Sequence, residues 1–147
     1  MKRLLALSLV LAVLLSSVAF GAVQDFGKFT LNIPEGWTAK IAEGNDPEYC
    51  TVDITGNDSS ISFTYAPTNG YSLEDLLEDW TNMEPTSSKP ERTNDGYYMY
   101  TYKNEEGKKV VCYVRAESDG KMYTSSEMAG NDTQTMTAIR DSFTLKK

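Results

Sequence analysis

The chain of 147 residues contains no histidine and only two cysteines. Without histidine, the sequence excludes Ser-His-Asp and Cys-His catalysis, in which an imidazole carries the proton, and it excludes histidine-ligated zinc. Two thiolates are also too few for a four-ligand metal site. We therefore predict no catalytic residue, no metal ligand and no cofactor from the sequence.

The two cysteines, Cys50 and Cys112, each fall on the apolar side of an alternating segment. We favour a disulfide between them, because their number is even and the chain has the export signal described next. The alternative is that both are buried free thiols, which pack as small hydrophobic residues. A catalytic thiol is disfavoured, because nothing near either cysteine in the sequence would lower its pKa.

Long apolar runs are missing from the sequence except at its start. There, a lysine and an arginine precede an apolar stretch over 4–15, and small residues follow up to Gly21. This order is typical of a cleavable signal peptide, which we place at 1–21, with a cut after Ala19 as the alternative. The stretch is shorter than the ~20 residues of a spanning helix, so we expect no membrane insertion after cleavage. The sequence thus predicts a secreted or periplasmic protein with one domain over 22–147.

The chain is acidic, with 14 lysines and arginines against 21 aspartates and glutamates. Removal of Lys2 and Arg3 with the signal peptide leaves a net charge of −9. Such a surface repels phosphate backbones and anionic lipids, so nucleic acid and membrane surfaces are excluded as expected partners. The charge is best explained as a means of keeping an exported protein in solution.

Most of the mature sequence alternates between apolar and polar residues, as half-buried strands do. Turns rich in glycine, asparagine and aspartate separate these segments, which favours antiparallel pairing. The alternation predicts strands over 29–33, 37–41, 50–55, 61–65, 97–102, 109–116 and 121–127.

Two other segments have the helical period. The first, over 72–83, begins at the N-cap Ser72 and places apolar residues on one face: Leu73, Leu76, Leu77 and Trp80. The second begins near Asn131, with Gln134 in its third position, and buries Met136, Ile139 and Phe143. We predict an α+β fold, an α/β/α sandwich in which two helices flank a predominantly antiparallel sheet of six or seven strands.

Two motifs resemble the PsbP-like superfamily. FTLNIPEGW, at 29–37, is similar to the opening strand of these domains, and TMTAIRDSFTL, at 135–145, is similar to their closing helix. The resemblance implies an α/β/α sandwich over 22–147. Its members include the extrinsic subunit of photosystem II, a nuclear-import factor that binds the Ran GTPase, and bacterial envelope proteins. Most resemble non-catalytic binding or assembly factors, and the metal-linked roles of histidines in photosystem members do not transfer to a chain without histidine.

The aromatic residues give the best candidate for a binding site. Tyr98, Tyr100 and Tyr102 share one side of a predicted strand, and we expect Tyr113 and Arg115 to align beside them on the next strand of the hairpin. Exposed tyrosines with an arginine suit recognition of protein or sugar. The alternative is that a helix covers this side and the tyrosines belong to the core.

Two classes of function remain open. The favoured one is an exported, non-catalytic binding or accessory protein of the cell envelope, with another exported or envelope protein as partner, because the usual catalytic groups are missing. The alternative is a hydrolase that acts on carbohydrate or peptide through carboxylates. That enzyme would need one carboxyl group in an apolar setting at ~5–10 Å from a second.

Overall fold

The alternating segments form β-strands in the computed structural model, which describes residues 21–42 and 48–147. The predicted signal peptide, 1–21, lies outside the described residues except for Gly21. Seven strands form the main sheet, and each neighbouring pair is antiparallel. In their order across the sheet they are β3 (Thr38–Ile41), β4 (Cys50–Gly56), β5 (Ser59–Pro67), β9 (Met122–Ala129), β8 (Lys109–Glu117), β7 (Tyr98–Lys103) and β6 (Glu91–Arg92).

A second, three-stranded sheet has the order β1 (Ala22–Asp25), β2 (Phe29–Ile33), β10 (Thr144–Leu145). The predicted strand 29–33 is confirmed, but it belongs to this smaller sheet rather than to the main one. Its Phe29 is fully buried, and its ring lies 5.4 Å from the rings of Phe63 and Phe143. The small sheet therefore packs against the main sheet through an aromatic cluster that joins the two ends of the described chain.

The two predicted helices are present. Helix α1 (Leu73–Met83) begins after Ser72, whose Oγ accepts a hydrogen bond from the Asp75 amide at 3.1 Å. Helix α2 (Thr133–Asp141) has Asp132 as its N-cap, so the third helical position holds Thr135 rather than the predicted Gln134. Asn131, near which the helix was predicted to begin, lies one residue before the N-cap.

The helices lie on opposite faces of the main sheet. Helix α2 buries Met136 and Ile139 in the same cluster as Val52 and Phe63, and we call this side the α2 face. Helix α1 buries Leu73 and Leu77 in a separate cluster on the other side, the α1 face. The predicted α+β sandwich, with two helices flanking a seven-stranded antiparallel sheet, is confirmed.

The predicted disulfide is wrong. Cys50 and Cys112 are both free and buried. Cys50 lies on the α2 face with Val52, whereas Cys112 lies on the α1 face with Leu77. Strands β5 and β9 separate their strands, so three steps of about 4.8 Å place the two backbones about 14 Å apart. A disulfide requires Cα atoms within about 7 Å, so the structure supports the alternative of two packed thiols.

Close backbone approaches explain two glycines. A Cβ at Gly130 would lie 2.7 Å from the Ser59 Cβ, so a side chain there would collide with the start of β5. A Cβ at Gly56 would similarly overlap the Trp37 ring, which lies across the end of β4. The Pro-x-Gly-Trp turn after β2 therefore places the buried Trp37 ring against Gly56 of the main sheet.

Candidate functional site

Helix α1 is too narrow to cover its face of the sheet. A helix with side chains is about 10 Å wide, whereas seven strands span about 29 Å. The apolar residues of α1 pack on β7 and β8, where they contact Tyr100, Val110, Cys112 and Val114. The β4 and β5 side of the α1 face remains beside the helix as the floor of an open groove.

The groove has a volume of about 490 Å³. A neighbouring cleft of about 370 Å³ continues it along β4 and β5 and shares Ser62, Tyr102 and Glu127 with it. We call the larger part the α1 groove; its lining residues are Tyr49, Thr51, Ser62, Thr64, Trp80, Met83, Glu84, Tyr100, Tyr102, Tyr123, Ser125 and Glu127.

The three tyrosines predicted as a binding surface lie on the α1 face, but they differ in exposure. Tyr100 is only 6% exposed beneath α1 and belongs to the core. Tyr98 is half-buried, and its hydroxyl donates a 2.6 Å hydrogen bond to Glu74 on α1. Tyr102 is half-buried and lines the α1 groove. The core interpretation is therefore right for Tyr100, while Tyr102 remains accessible to a ligand.

By strand register Tyr113 and Arg115 lie on the opposite side of the sheet from these tyrosines, so the five residues do not share one face, although Arg115 and Tyr98 both line a cleft of about 360 Å³. In the β7–β8 pairing, Tyr98 is opposite Val114 and Tyr100 is opposite Cys112. Even-numbered residues therefore face even-numbered residues, which places Tyr113 and Arg115 on the α2 face. The pattern of β8, apolar on both sides, did not reveal this register, and a shift of one residue would have exchanged the two faces.

On the α2 face, Tyr113 takes part in a cation–π cluster. The guanidinium of Arg140, a residue 5% exposed, lies 4.4 Å from the centre of the Tyr97 ring and 4.5 Å from that of Tyr113. Its Nη2 is 2.9 Å from Asp141 Oδ1. Arg115 also stacks on Tyr97, at 4.7 Å. The contacts of Arg140 tie α2 to the sheet through Tyr97 and Tyr113, and Arg115 packs on the same Tyr97 ring, so Tyr113 and Arg115 have a structural role there.

Glu127, which is not among the predicted site residues, lies on β9 and lines both the α1 groove and its continuation. The carboxyl group is half-buried, and burial raises its pKa, although an interaction with the Tyr102 hydroxyl opposes the rise. Burial and the nearby Glu127 also raise the pKa of Tyr102 to about 12. One signal could have identified this residue: Glu127 is the only charged residue in the segment Met122–Ala129.

Hydroxyl groups and aromatic rings complete the lining. The Thr51 and Thr64 hydroxyls are hydrogen-bonded across β4 and β5 at 2.9 Å, and Ser62 donates to Asp53 Oδ1 at 3.3 Å. The Trp80 and Tyr123 rings lie 5.3 Å apart between α1 and β9. Rings, hydroxyls and one half-buried carboxyl group recognise ligands by stacking and hydrogen bonding. Within 21–42 and 48–147, no group of three or more residues is arranged to hold a metal ion.

A larger cleft of about 790 Å³ lies on the α2 face beside Tyr113 and Met136. Its titratable groups with shifted pKa values, Glu106 and Lys108, form an ion pair of 2.8 Å whose side chains are both about two-thirds exposed. The α1 groove is the better candidate, because it combines several rings with a carboxyl group whose pKa is shifted by burial.

Comparison with known proteins shows the fold. No family model matches the sequence, and no curated protein matches it. The solution structure of cyanobacterial PsbP (CyanoP) from Synechocystis sp. PCC 6803 superimposes with a TM-score of 0.51 at 15% identity, covering 89% of this chain and 96% of that one. The fold is PsbP-like. At this identity the similarity shows the architecture of the chain and no more.

The resemblance seen in the two terminal motifs is thereby confirmed at the level of fold. In this PsbP-like structure they lie together, because β2 carries the first motif and β10 ends the second, and the two strands pair. The α1 groove lies on the other face of the main sheet. None of the helices described is long and apolar enough to cross a membrane.

Proposed function

We propose that this is an exported, non-catalytic binding or accessory protein of the cell envelope, and that it holds another exported or envelope protein in the α1 groove. The observation that carries the proposal is the lining of the groove, where rings from α1, β7 and β9 surround hydroxyl groups and Glu127. Tyrosine and tryptophan supply a large contact area with few rotatable bonds, which favours recognition.

The rim of the groove supports binding of a protein rather than of a small molecule alone. Met83 is 74% exposed and Tyr49 is 43% exposed, and both line the groove. Large apolar side chains of this kind gain free energy when a partner covers them. The predicted N-terminal signal peptide and the PsbP-like fold, which bacterial envelope proteins also adopt, agree with a partner outside the cytoplasm.

A photocrosslinking experiment in the native cells tests this function. A benzophenone amino acid at position 83 should capture one exported or envelope protein, whereas the same amino acid at position 23 should not. Val23 is a matched control, because it is 69% exposed but lies on the small sheet. Ser62→Arg, which fills the floor of the groove, should remove the crosslink. Equal capture at both positions, or none at either, contradicts the proposal.

The carboxylate-dependent hydrolase is the second candidate, and one observation favours it. Burial raises the pKa of Glu127, which is the direction that a general acid requires, and Asp53 lies on the same face, two strands away across Ser62. Two strand spacings place their backbones about 10 Å apart. Asp53 is exposed, however, and the groove is open to water, so binding is better supported. Turnover of a glycan or peptide that both Glu127→Gln and Asp53→Asn abolish would reverse this order.

A further inference from the structure

We propose that the α1 groove takes a basic side chain, a lysine or arginine of the partner polypeptide, with its cation between the Glu127 carboxylate and the rings of Trp80, Tyr102 and Tyr123. The inference rests on the proposed binding function and names the chemistry of the partner. It follows from the charge of the lining, from the position of the rings, and from a contact of the same kind elsewhere in the fold.

The lining is negative. Glu84 and Glu127 line the α1 groove and Asp53 lines its continuation. Among the described residues, no lysine or arginine lines either part. The nearest cation by strand register is Lys40, which lies opposite Asp53 at the outer edge of the sheet. The Glu84 carboxylate already accepts hydrogen bonds from the amide and hydroxyl of Thr86. Glu127 is therefore the anion best placed to meet an incoming cation in the groove.

The rings provide the second half of the site. An ammonium or guanidinium group is attracted to the face of an aromatic ring, most strongly where both are withdrawn from water. Trp80 and Tyr123 lie at 56° to one another, so they form two sides of a corner beside Glu127. A sugar would also stack on such rings and donate hydroxyl hydrogen bonds to the carboxylate, but only a cation would add the direct attraction between opposite charges.

The protein itself uses this arrangement on the α2 face. There Arg140 is held between Tyr97 and Tyr113, with Asp141 as its counter-ion. The α1 groove offers the same set of groups, a carboxylate with three rings, but none of its described lining residues is a cation. A basic side chain of another chain would supply the missing charge, and its aliphatic stem would cover Trp80.

Binding of such a cation should depend on pH. The ionised carboxylate attracts the cation, so the affinity should increase as pH rises from about 4.5 through the raised pKa of Glu127. Tyr100, Tyr102 and Cys112 also face this carboxyl group from β7 and β8. They remain protonated over this range, because the pKa values of Tyr102 and Cys112 are raised to about 12 and that of Tyr100 is raised further.

An NMR titration tests the inference. The probes are an acetylated, amidated pentapeptide with one central lysine and the same peptide with uncharged norleucine. The chain has two tryptophans, so the Trp80 indole signal is readily followed, with buried Trp37 as internal reference. We expect the lysine peptide to shift the Trp80 signal and to bind about tenfold more tightly than the norleucine peptide.

Two variants that each remove one negative charge distinguish a local effect of Glu127 from the effect of the protein's overall negative charge. Glu127→Gln should lower the affinity for the lysine peptide about fivefold or more and remove the pH dependence of binding. Glu91→Gln, on the exposed edge strand, should change neither. Equal affinities for the lysine and norleucine peptides would contradict the proposal of a basic side chain. A crosslink at position 83 would still support the binding function in that case. A shift of Trp80 with an oligosaccharide but not with the lysine peptide would also contradict the proposal of a basic side chain.

Discussion

At the scale of single residues, Glu127 is the carboxyl group of the α1 groove whose protonation depends on the fold. Burial raises its pKa above the ordinary value of 4.5, so the folded protein holds this proton more firmly than the unfolded chain does. Above pH 4.5 the unfolded chain therefore loses the proton more readily, and the free energy of unfolding falls as pH rises through the raised pKa. At neutral pH the ionised Glu127 carboxylate therefore lowers the free energy of unfolding.

Glu127→Gln should consequently stabilise the protein at pH 7, by roughly 0.5–1 kcal/mol, because a half-buried charge is replaced by a neutral amide that can still accept from Tyr102. The gain should shrink towards zero near pH 4, where the wild-type group is protonated. Urea unfolding at the two pH values measures both quantities. Glu91→Gln is the control for charge alone, and a gain for Glu127→Gln that is equal at pH 4 and pH 7 would contradict the explanation.

At the scale of elements, α1 creates the groove by covering only part of the sheet. Its first turn places Leu73 over β7 and β8, and the chain leaves the helix after Met83, before Pro85. Tyr98 on β7 further holds the helix through its hydrogen bond to Glu74. The position of the groove wall thus depends on where this helix begins and on which strands it packs against.

Ser72→Ala should lower the free energy of unfolding by about 1 kcal/mol, because the Asp75 amide loses its hydrogen-bond acceptor. Ser72→Asp should retain most of the stability, since aspartate is an equally good N-cap. Chemical denaturation of the three proteins makes the comparison. If the aspartate variant is as unstable as the alanine variant, the hydroxyl is not acting as a cap.

At the scale of the whole molecule, the main sheet separates two cores. Phe29, Phe63 and α2 form one, and α1 with Tyr100 and Cys112 forms the other. Residues on adjacent positions of one strand therefore belong to different cores. This division explains both incorrect predictions, since the two cysteines, and the two groups of candidate binding residues, were each assigned to a common side.

The number of thiols provides a test of this arrangement. The protein, purified without reductant and unfolded in denaturant, should contain two thiols per chain that react with Ellman's reagent. In the folded state both should react slowly, because they are buried and burial raises their pKa values, that of Cys112 to about 12. A disulfide-bonded protein would instead release no thiol until it was reduced.

Local patterns in the sequence determined most of the secondary structure. Alternation located the main strands, and the period of Leu73, Leu77 and Trp80 with the N-cap Ser72 located α1. These signals are local, because burial of one face imposes its period on the residues of a single element. The short edge strands, β1, β6 and β10, have no such pattern and were not predicted, since only their partners in space make them strands.

The tertiary structure alone decided the register and the site. Pairing Tyr98 with Val114 rather than with a neighbouring residue sent Tyr113 and Arg115 to the α2 face, and no single strand contains that information. Glu127 likewise looks like an ordinary surface acid in its own strand. It becomes half-buried because α1 and β7 place Trp80 and Tyr102 around it, so the candidate site exists only where three distant segments of the chain meet.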